Sequence, residues 1–153
     1  MNNFAYRYGD KKERGRGAST GNRFEPGKNP MSTMAPTMIF NKEGELVLVT
    51  GSPGGSLIPA AILRVITGII DFDLDIGQAT MLPRVHKDWP KTGILYERTV
   101  NSDVVRIINK RIGHKMTPEH TMGSTQSIHI INGVNYGYAD LRRPGASVSS
   151  QEN

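Results

Sequence analysis

The sequence predicts a mixed α+β fold in which β-hairpins pack against buried helices. Two stretches of alternating apolar and polar residues, each folded around a short turn that contains glycine, indicate two hairpins. Between them lies a long and mostly apolar stretch, residues 57–71, which is predicted to be a helix.

The first hairpin is predicted over residues 36–40 and 45–50, because the segments "PTMIF" and "ELVLVT" flank the turn "NKEG". The helix over 57–71 has apolar residues around almost its whole circumference, so we expect it to be buried on most sides. A shorter helix is predicted to begin at Asp75 and to end at Thr80, since an acidic residue suits a helix N-terminus.

The remaining elements follow the same rules. The segment "ILYER", residues 94–98, is predicted to be a strand, and "NSDVVRIINKRI", residues 101–112, an amphipathic helix that stops at Gly113. The second hairpin is predicted over residues 126–140, turning at an Asn-Gly pair.

Composition excludes several classes of protein. The longest apolar run, 57–70, is shorter than the roughly 18 to 20 residues that a bilayer requires, and Pro59, Arg64 and Gly68 interrupt it, so no membrane span is predicted. The charged start of the chain does not resemble an export signal. The sequence contains no cysteine, which excludes disulfides and thiol chemistry but leaves the compartment open.

The net charge of +5 is concentrated at one end of the chain. Residues 1–30 hold seven Lys or Arg against three Asp or Glu, a charge of +4, in a segment rich in glycine, proline and serine. Such a segment is typical of a solvated loop and not of a folded basic surface, so no nucleic-acid partner is predicted.

The loop "GSPGG", residues 51–55, separates a predicted strand from the start of the long helix. The first amides of a helix have no partner within it, so a glycine turn at this place can bind negative charge. A phosphate and the oxyanion of an acyl transfer both fit, although the loop lacks the Gly-Lys-Ser/Thr ending of a phosphate-binding P-loop. A turn that only packs the helix against its strand is the alternative.

Five segments, in order, resemble the C-terminal part of the small subunit of gamma-glutamyltranspeptidases. They are "PGKNPMSTMAPT" (26–37), "LVTGSPGG" (48–55), "ATMLPRVH" (79–86), "MGSTQSI" (122–128) and "GYADLRRPGASV" (137–148). The resemblance implies an N-terminal-nucleophile hydrolase fold, a four-layer αββα sandwich of which this chain supplies a part. It divides the chain into a basic, loop-rich segment (1–30), the family-like part (31–148) and a tail (149–153).

The resemblance also implies site residues. Gly54 and Gly55 correspond to the glycine pair whose backbone amides form the family's oxyanion hole. Ser32 and Thr33 correspond to the adjacent serines that hold the α-carboxylate of the glutamyl group.

The start "MNNFAY" resembles the family segment in which two asparagines precede an acidic or amide residue and an aspartate that binds the α-amino group. Those two places fall on Phe4 and Tyr6 here. Neither ring supplies a carboxylate for an ammonium ion. Asn3 and Tyr6 are therefore candidate substrate contacts, with the amine bound differently or the acyl group different from glutamyl; a simple Asn-Asn turn is the alternative for Asn3.

Family catalysis uses a threonine that autocleavage frees at the small subunit's N-terminus. The segment that carries it lies before the Asn-Asn turn, and this chain starts at the turn with Met1, so we expect the isolated chain to be inactive. With the missing large-subunit or N-terminal segment, the resemblance implies cleavage of γ-glutamyl amides such as glutathione through an acyl-enzyme, and acyl transfer to water or an amine. Alternatives are a catalytically silent fragment, a partner-binding subunit, or an acylase-like relative that acts on another amide.

No cofactor and no metal are expected. His114 and His120 lack a nearby third ligand. Arg84, Asp140 and Arg142 lie in family-like stretches, and we predict an ion pair among them that fixes the second hairpin. A homo-oligomer and a periplasmic or extracellular location are options that the resemblance leaves open.

Overall fold

The computed structural model describes residues 26–29, 32–88 and 93–150, and the chain divides into two compact units, Met1–Met34 and Ala35–Asn153. All described helices and strands lie in the second unit. The strands are β1 Thr37–Phe40, β2 Leu46–Gly51, β3 Val85–His86, β4 Ile94–Glu97, β5 Met116–Glu119, β6 Gln126–Ile131 and β7 Val134–Ala139. The helices are α1 Ile58–Ile70, α2 Ile76–Met81 and α3 Ser102–Ile107, with a 3₁₀ turn at Gly55–Leu57 and a π-helical turn at Ile108–Ile112.

Both predicted hairpins are present and share one antiparallel sheet, in the order β1-β2-β6-β7. Asn41 holds the first turn, because its side-chain oxygen accepts the backbone amides of Glu43 and Glu45. The second turn has positive φ angles at Asn132 (51°) and Gly133 (77°), as a tight two-residue turn of an antiparallel pair requires.

Helices α1 and α2 cover one face of this sheet. The buried core residues Leu48, Val65, Ile76 and Ala79 join β2 to both helices. A Cβ at Gly68 of α1 would lie 2.9 Å from the Cβ of Ala79, so glycine at this position lets the two helices approach closely. The core therefore lies between the sheet and the α1–α2 pair.

Helix α1 confirms the predicted helix and is most deeply buried along one face. The buried residues Ile58, Ala61, Ile62, Val65 and Gly68 lie along a single face of the helix. Most of its other residues are half-buried, so the expected burial on most sides is confirmed except for a narrow strip in which Leu63 and Ile70 are each 59% exposed. The strip is exposed because the sheet and α2 meet α1 from one side.

The other predicted elements are also present. The side chain of Asp75 caps α2 by accepting a hydrogen bond from the backbone amide of Gln78. In return, the side-chain oxygen of Gln78 accepts a hydrogen bond from the backbone amide of Asp75. The helix that starts at the Asn101 cap changes to a π-helical turn after Ile107 and ends at Gly113, whose φ is 78°. No helix in the described part of the chain is long and apolar enough to cross a membrane.

A second, smaller sheet has the order β3-β4-β5, in which β4 and β5 are parallel. The sequence predicts only β4. Strand β3 has two residues, and β5 contains Pro118, which lacks an amide hydrogen and normally indicates a loop. Proline is tolerated there because β5 lies at the edge of the sheet.

Candidate active site

The glycine loop, residues 51–55, connects β2 to the 3₁₀ turn before α1. Gly54 has a φ of 142° and Gly55 a φ of 59°, a region that residues with a side chain rarely adopt. Pro59 follows in the first turn of α1, where its missing amide hydrogen costs nothing. The loop thus turns the chain sharply from the sheet into the helix and leaves both glycines exposed.

The carbonyl groups of both glycines are engaged by the helix start. The Leu57 amide donates to Gly54 O at 3.1 Å, and the Ile58 amide donates to Gly55 O. The amides of Gly54 and Gly55 themselves donate to no acceptor among the described residues. Two exposed backbone donors at the start of a 13-residue helix are suited to an anion or a developing oxyanion.

The segment 122–125 packs directly behind this loop. A Cβ placed on Gly54 would lie 3.3 Å from Gly123 Cα, so the two backbones are almost in contact. The Ser124 amide donates to the side-chain oxygen of Ser52 at 3.0 Å. The position of the loop therefore depends on the position of 122–125.

A buried ion pair fixes this segment from the other side. The guanidinium of Arg84 lies 2.6 Å from Oδ2 of Asp140, and the two side chains are 2% and 0% exposed. Arg84 also donates to the carbonyl of Met122 at 2.8 Å and to the hydroxyl of Thr125 at 3.1 Å. Asp140 accepts the Thr125 amide at 2.9 Å.

A second ion pair lies beside the first. Arg142 donates to both carboxylate oxygens of Glu97 at 2.7 Å, and also reaches Asp140 at 3.2 Å. Glu97 further accepts the backbone amides of Arg84 and Met122, each at 3.0 Å. We call these four side chains the buried ion-pair cluster: Arg84, Glu97, Asp140 and Arg142. The predicted ion pairing of Asp140 with Arg84 and Arg142 is confirmed.

Glu97 is a member of the cluster that sequence reasoning missed. It ends a short strand, a position that normally carries no functional signal. A count of charges could have indicated it. The family-like segments contain both Arg84 and Arg142 but only one acidic residue, Asp140, to pair with them. A second buried arginine needs a second carboxylate.

Both carboxylates of the cluster are held in the charged form. Burial alone would raise the pKa of Glu97, but hydrogen bonds from Arg142 and from the amides of Met122 and Arg84 outweigh it and lower the pKa. Burial likewise opposes ionisation of Asp140, and the Arg142 amide, the Arg84 charge and the Thr125 amide lower its pKa. Burial and the neighbouring Arg142 lower the pKa of Arg84. Burial also acts to lower the pKa of Arg142, but the hydrogen bonds and charge of Glu97, together with Asp140, outweigh it and raise this pKa.

We expect the stability of the chain to fall in acid because of these two carboxylates. A carboxyl group whose pKa is depressed on folding contributes its full stabilisation above its unfolded pKa, 4.5 for Glu97 and 3.8 for Asp140, and loses it as the pH falls through the lower, folded value. The urea-unfolding midpoint should thus decrease steeply below about pH 4.5. Glu97→Gln should show a smaller decrease over the same range, and an unchanged slope in this variant would contradict the assignment.

The other predicted site residues have different outcomes. Of them, the structure brings together Gly54 and Gly55. Ser32 and Thr33 lie in the first unit, where Ser32 is exposed and its hydroxyl oxygen accepts the Met34 amide at 3.1 Å. Asn3 and Tyr6 lie outside the described residues. Within the described ranges, no group of three or more acidic or histidine side chains could hold a metal ion.

The model of the gamma-glutamyltranspeptidase family matches residues 1–150 of this sequence. The chain belongs to the gamma-glutamyltranspeptidase family. The glutathione hydrolase proenzyme of Escherichia coli (strain K12) is 38% identical over 118 residues, which are 76% of this chain and 20% of the relative. The chain spans about a fifth of the length of the curated relatives it matches.

Comparison with solved structures confirms the predicted fold class. A variant of the gamma-glutamyltranspeptidase of Helicobacter pylori superposes with a TM-score of 0.78 at 31% identity, covering 92% of this chain and 77% of that one. The cephalosporin acylase of Bacillus halodurans superposes with a TM-score of 0.77 at 26% identity, covering 86% of this chain and 25% of that one. This chain is thus an α+β part of the N-terminal-nucleophile hydrolase sandwich.

Proposed function

We propose that this chain is the C-terminal part of an enzyme that cleaves γ-glutamyl amides such as glutathione and passes the acyl group to water or an amine. The observation that carries the proposal is the glycine loop, which presents, just before α1, two backbone amides that have no acceptor among the described residues. Family membership supplies the reaction class, since the curated relatives are named glutathione hydrolase proenzymes.

The partner is the rest of the proenzyme, which carries the threonine nucleophile. We call this chain together with that part the assembled enzyme. Within this chain, residues 1–30 form a basic segment, residues 31–148 the family-like part and residues 149–153 a tail. Its assembly into a homo-oligomer and its periplasmic or extracellular location are further hypotheses.

In the assembled enzyme, the threonine hydroxyl attacks the γ-carbonyl carbon while the threonine's own α-amine takes the proton. The carbonyl oxygen then becomes an anion, which the amides of Gly54 and Gly55 stabilise. Collapse of this intermediate breaks the C–N bond, and the protonated base returns its proton to the leaving amine. Water or an acceptor amine attacks the resulting ester in the same way and restores the threonine.

Ser32 and Thr33 bind the α-carboxylate of the acyl group. The hydroxyl oxygen of Ser32 accepts a backbone amide, which leaves its own proton free to donate to the substrate. Hydrogen bonds to a charged group contribute about 1.5 to 3 kcal/mol each.

We expect the double substitution Ser32→Ala, Thr33→Ala to lower kcat/KM for a γ-glutamyl anilide by about 10²- to 10⁴-fold, mainly through KM, because two donors to a carboxylate are lost. The measurement is steady-state kinetics of the assembled enzyme. A 4-aminobutyryl anilide, which lacks the α-carboxylate, serves as the control substrate and should react equally with both forms. An equal loss on the two substrates would show that these hydroxyls do not bind the carboxylate.

A second candidate function is amide hydrolysis with a non-glutamyl acyl group. Phe4 and Tyr6 stand where the family places the partners of the α-amine, and the structural similarity extends to a cephalosporin acylase. An enzyme of this kind would still use the glycine loop for the oxyanion.

Comparison of γ-glutamyl and glutaryl anilides, which differ only in the α-amine, separates these candidates. With Tyr6 in place of an acid, we expect the two kcat/KM values to be similar, since a site without a carboxylate gains little from the ammonium. A glutaryl substrate slower by about a thousandfold, roughly 4 kcal/mol, would show that another residue binds the amine.

Tyr6→Asp should then shift the preference toward the γ-glutamyl donor, whereas the control Tyr6→Phe should not. No turnover of either substrate by the wild-type assembled enzyme would refute the first candidate and the glutaryl form of the second, and would support a catalytically silent protein.

A further inference from the structure

We infer that Ser52 is a positioning residue which aims the Gly54 amide at the oxyanion, and that Gly123 keeps the space this requires. The inference rests on the proposed function. It concerns residues that the family resemblance did not single out, and it follows from the hydrogen bonds made by the peptide groups of the glycine loop.

The direction of each amide in the loop is set by the carbonyl of the same peptide group. In a trans peptide the C=O and the following N–H point in opposite directions within one plane. The carbonyl of Gly54 accepts the Leu57 amide at 3.1 Å, which fixes the plane that contains the Gly55 N–H. The start of the helix therefore orients the second donor.

The first donor has no such support from the helix. The first donor, the Gly54 N–H, belongs to the same peptide group as the carbonyl of Pro53. This carbonyl accepts a hydrogen bond from the Ser52 hydroxyl at 2.8 Å. Fixing this carbonyl makes the Gly54 N–H point in the opposite direction within the same peptide plane. No other hydrogen bond to Pro53 O is present among the described residues.

The hydroxyl of Ser52 is itself held in place. Its oxygen accepts the Ser124 amide at 3.0 Å, so its single proton remains available for Pro53 O. Segment 122–125 is in turn fixed by the buried ion-pair cluster, through the contacts of Arg84 and Asp140 described above. A continuous set of hydrogen bonds therefore connects the cluster to the Gly54 peptide.

Gly123 is the position at which a side chain would break this arrangement. A Cβ there would lie 2.6 Å from the Ser52 hydroxyl oxygen and 3.2 Å from Pro53 O. The φ of Gly123 is also positive, at 73°. A larger residue would displace both the hydroxyl and the carbonyl that it holds.

The test is the kinetics of Ser52→Ala in the assembled enzyme, with active sites counted from the burst of product on mixing. We expect kcat for a γ-glutamyl anilide to fall about 10- to 100-fold, while KM changes less than about twofold. The decrease in kcat should not exceed the decrease that removal of one oxyanion donor causes. Ser52→Thr keeps the hydroxyl and should restore most of the activity. Gly123→Ala should give the same selective loss of kcat.

A boronate analogue of the acyl group distinguishes aiming from general disorder of the site. Its tetrahedral anion resembles the intermediate, so its inhibition constant should rise by the same factor as kcat falls in Ser52→Ala. Glutarate, which is planar at the corresponding carbon, should bind equally to both forms. The matched control is Ser56→Ala, since Ser56 is exposed and makes no side-chain hydrogen bond among the described residues.

Two results would overturn the inference while leaving the proposed function intact. One is an active wild type in which Ser52→Ala behaves like Ser56→Ala. The other is a Ser52→Ala variant that changes KM and glutarate binding as much as it changes kcat. An inactive wild type, by contrast, would refute the proposed function itself.

Discussion

Asp140→Asn is expected to destabilise the protein by about 3 to 5 kcal/mol, because the change leaves the buried guanidinium of Arg84 without its counter-charge. The side chain keeps nearly the same shape, so the loss reports charge and hydrogen bonding and not a cavity. Asp140 also accepts the Thr125 amide and contacts Arg142, and an amide group cannot replace all of these acceptors. The measurement is urea unfolding at neutral pH.

The exposed ion pair between Asp103 and Arg106 is the matched control. Its two groups are 2.9 Å apart, similar to the buried pair, but their side chains are 68% and 64% exposed. Asp103→Asn should therefore cost less than about 1 kcal/mol. If the Asp140 and Asp103 variants lost equal stability, burial of the ion-pair cluster would not be the source of its effect.

Gly54→Ala is expected to lower kcat of the assembled enzyme by about 10²-fold or more, with a smaller change in KM. Alanine strongly disfavours a φ of 142°, and its Cβ would lie 3.3 Å from Gly123 Cα, so the loop must move and the amide no longer faces the oxyanion. Single-turnover measurement of acyl-enzyme formation isolates the affected step.

Gly44→Ala controls for backbone strain alone. Gly44 also has a positive φ, 84°, but it lies in the turn between β1 and β2, where an added Cβ meets nothing within 4 Å. We expect a modest loss of stability and an unchanged kcat. Equal losses of kcat in both variants would mean that the glycine loop has no specific role in the chemistry.

Local patterns predicted most of the second unit. The two hairpins, α1, α2 and β4 follow from alternation, apolar runs and turn residues, which act over a few neighbouring positions. Strand β5 could not be found in this way, because its pairing with β4 is a long-range contact and its Pro118 signals a loop. The π-helical turn after Ile107 has no simple sequence signature either.

The site was predictable only in part for a similar reason. Gly54 and Gly55 follow from the family resemblance, and the charges of Arg84 and Asp140 suggested a pair. The contact of Gly123 with the glycine loop and the participation of Glu97 depend on how distant segments pack. Sequence spacing contains no information on that packing.

The buried ion-pair cluster has a consequence for biosynthesis. Its members come from positions 84, 97, 140 and 142, so Arg84 and Glu97 leave the ribosome well before Asp140 and Arg142 are made. During that interval neither can be buried without leaving its charge partly uncompensated. We therefore expect the second unit to complete its packing only after residue 142 has emerged.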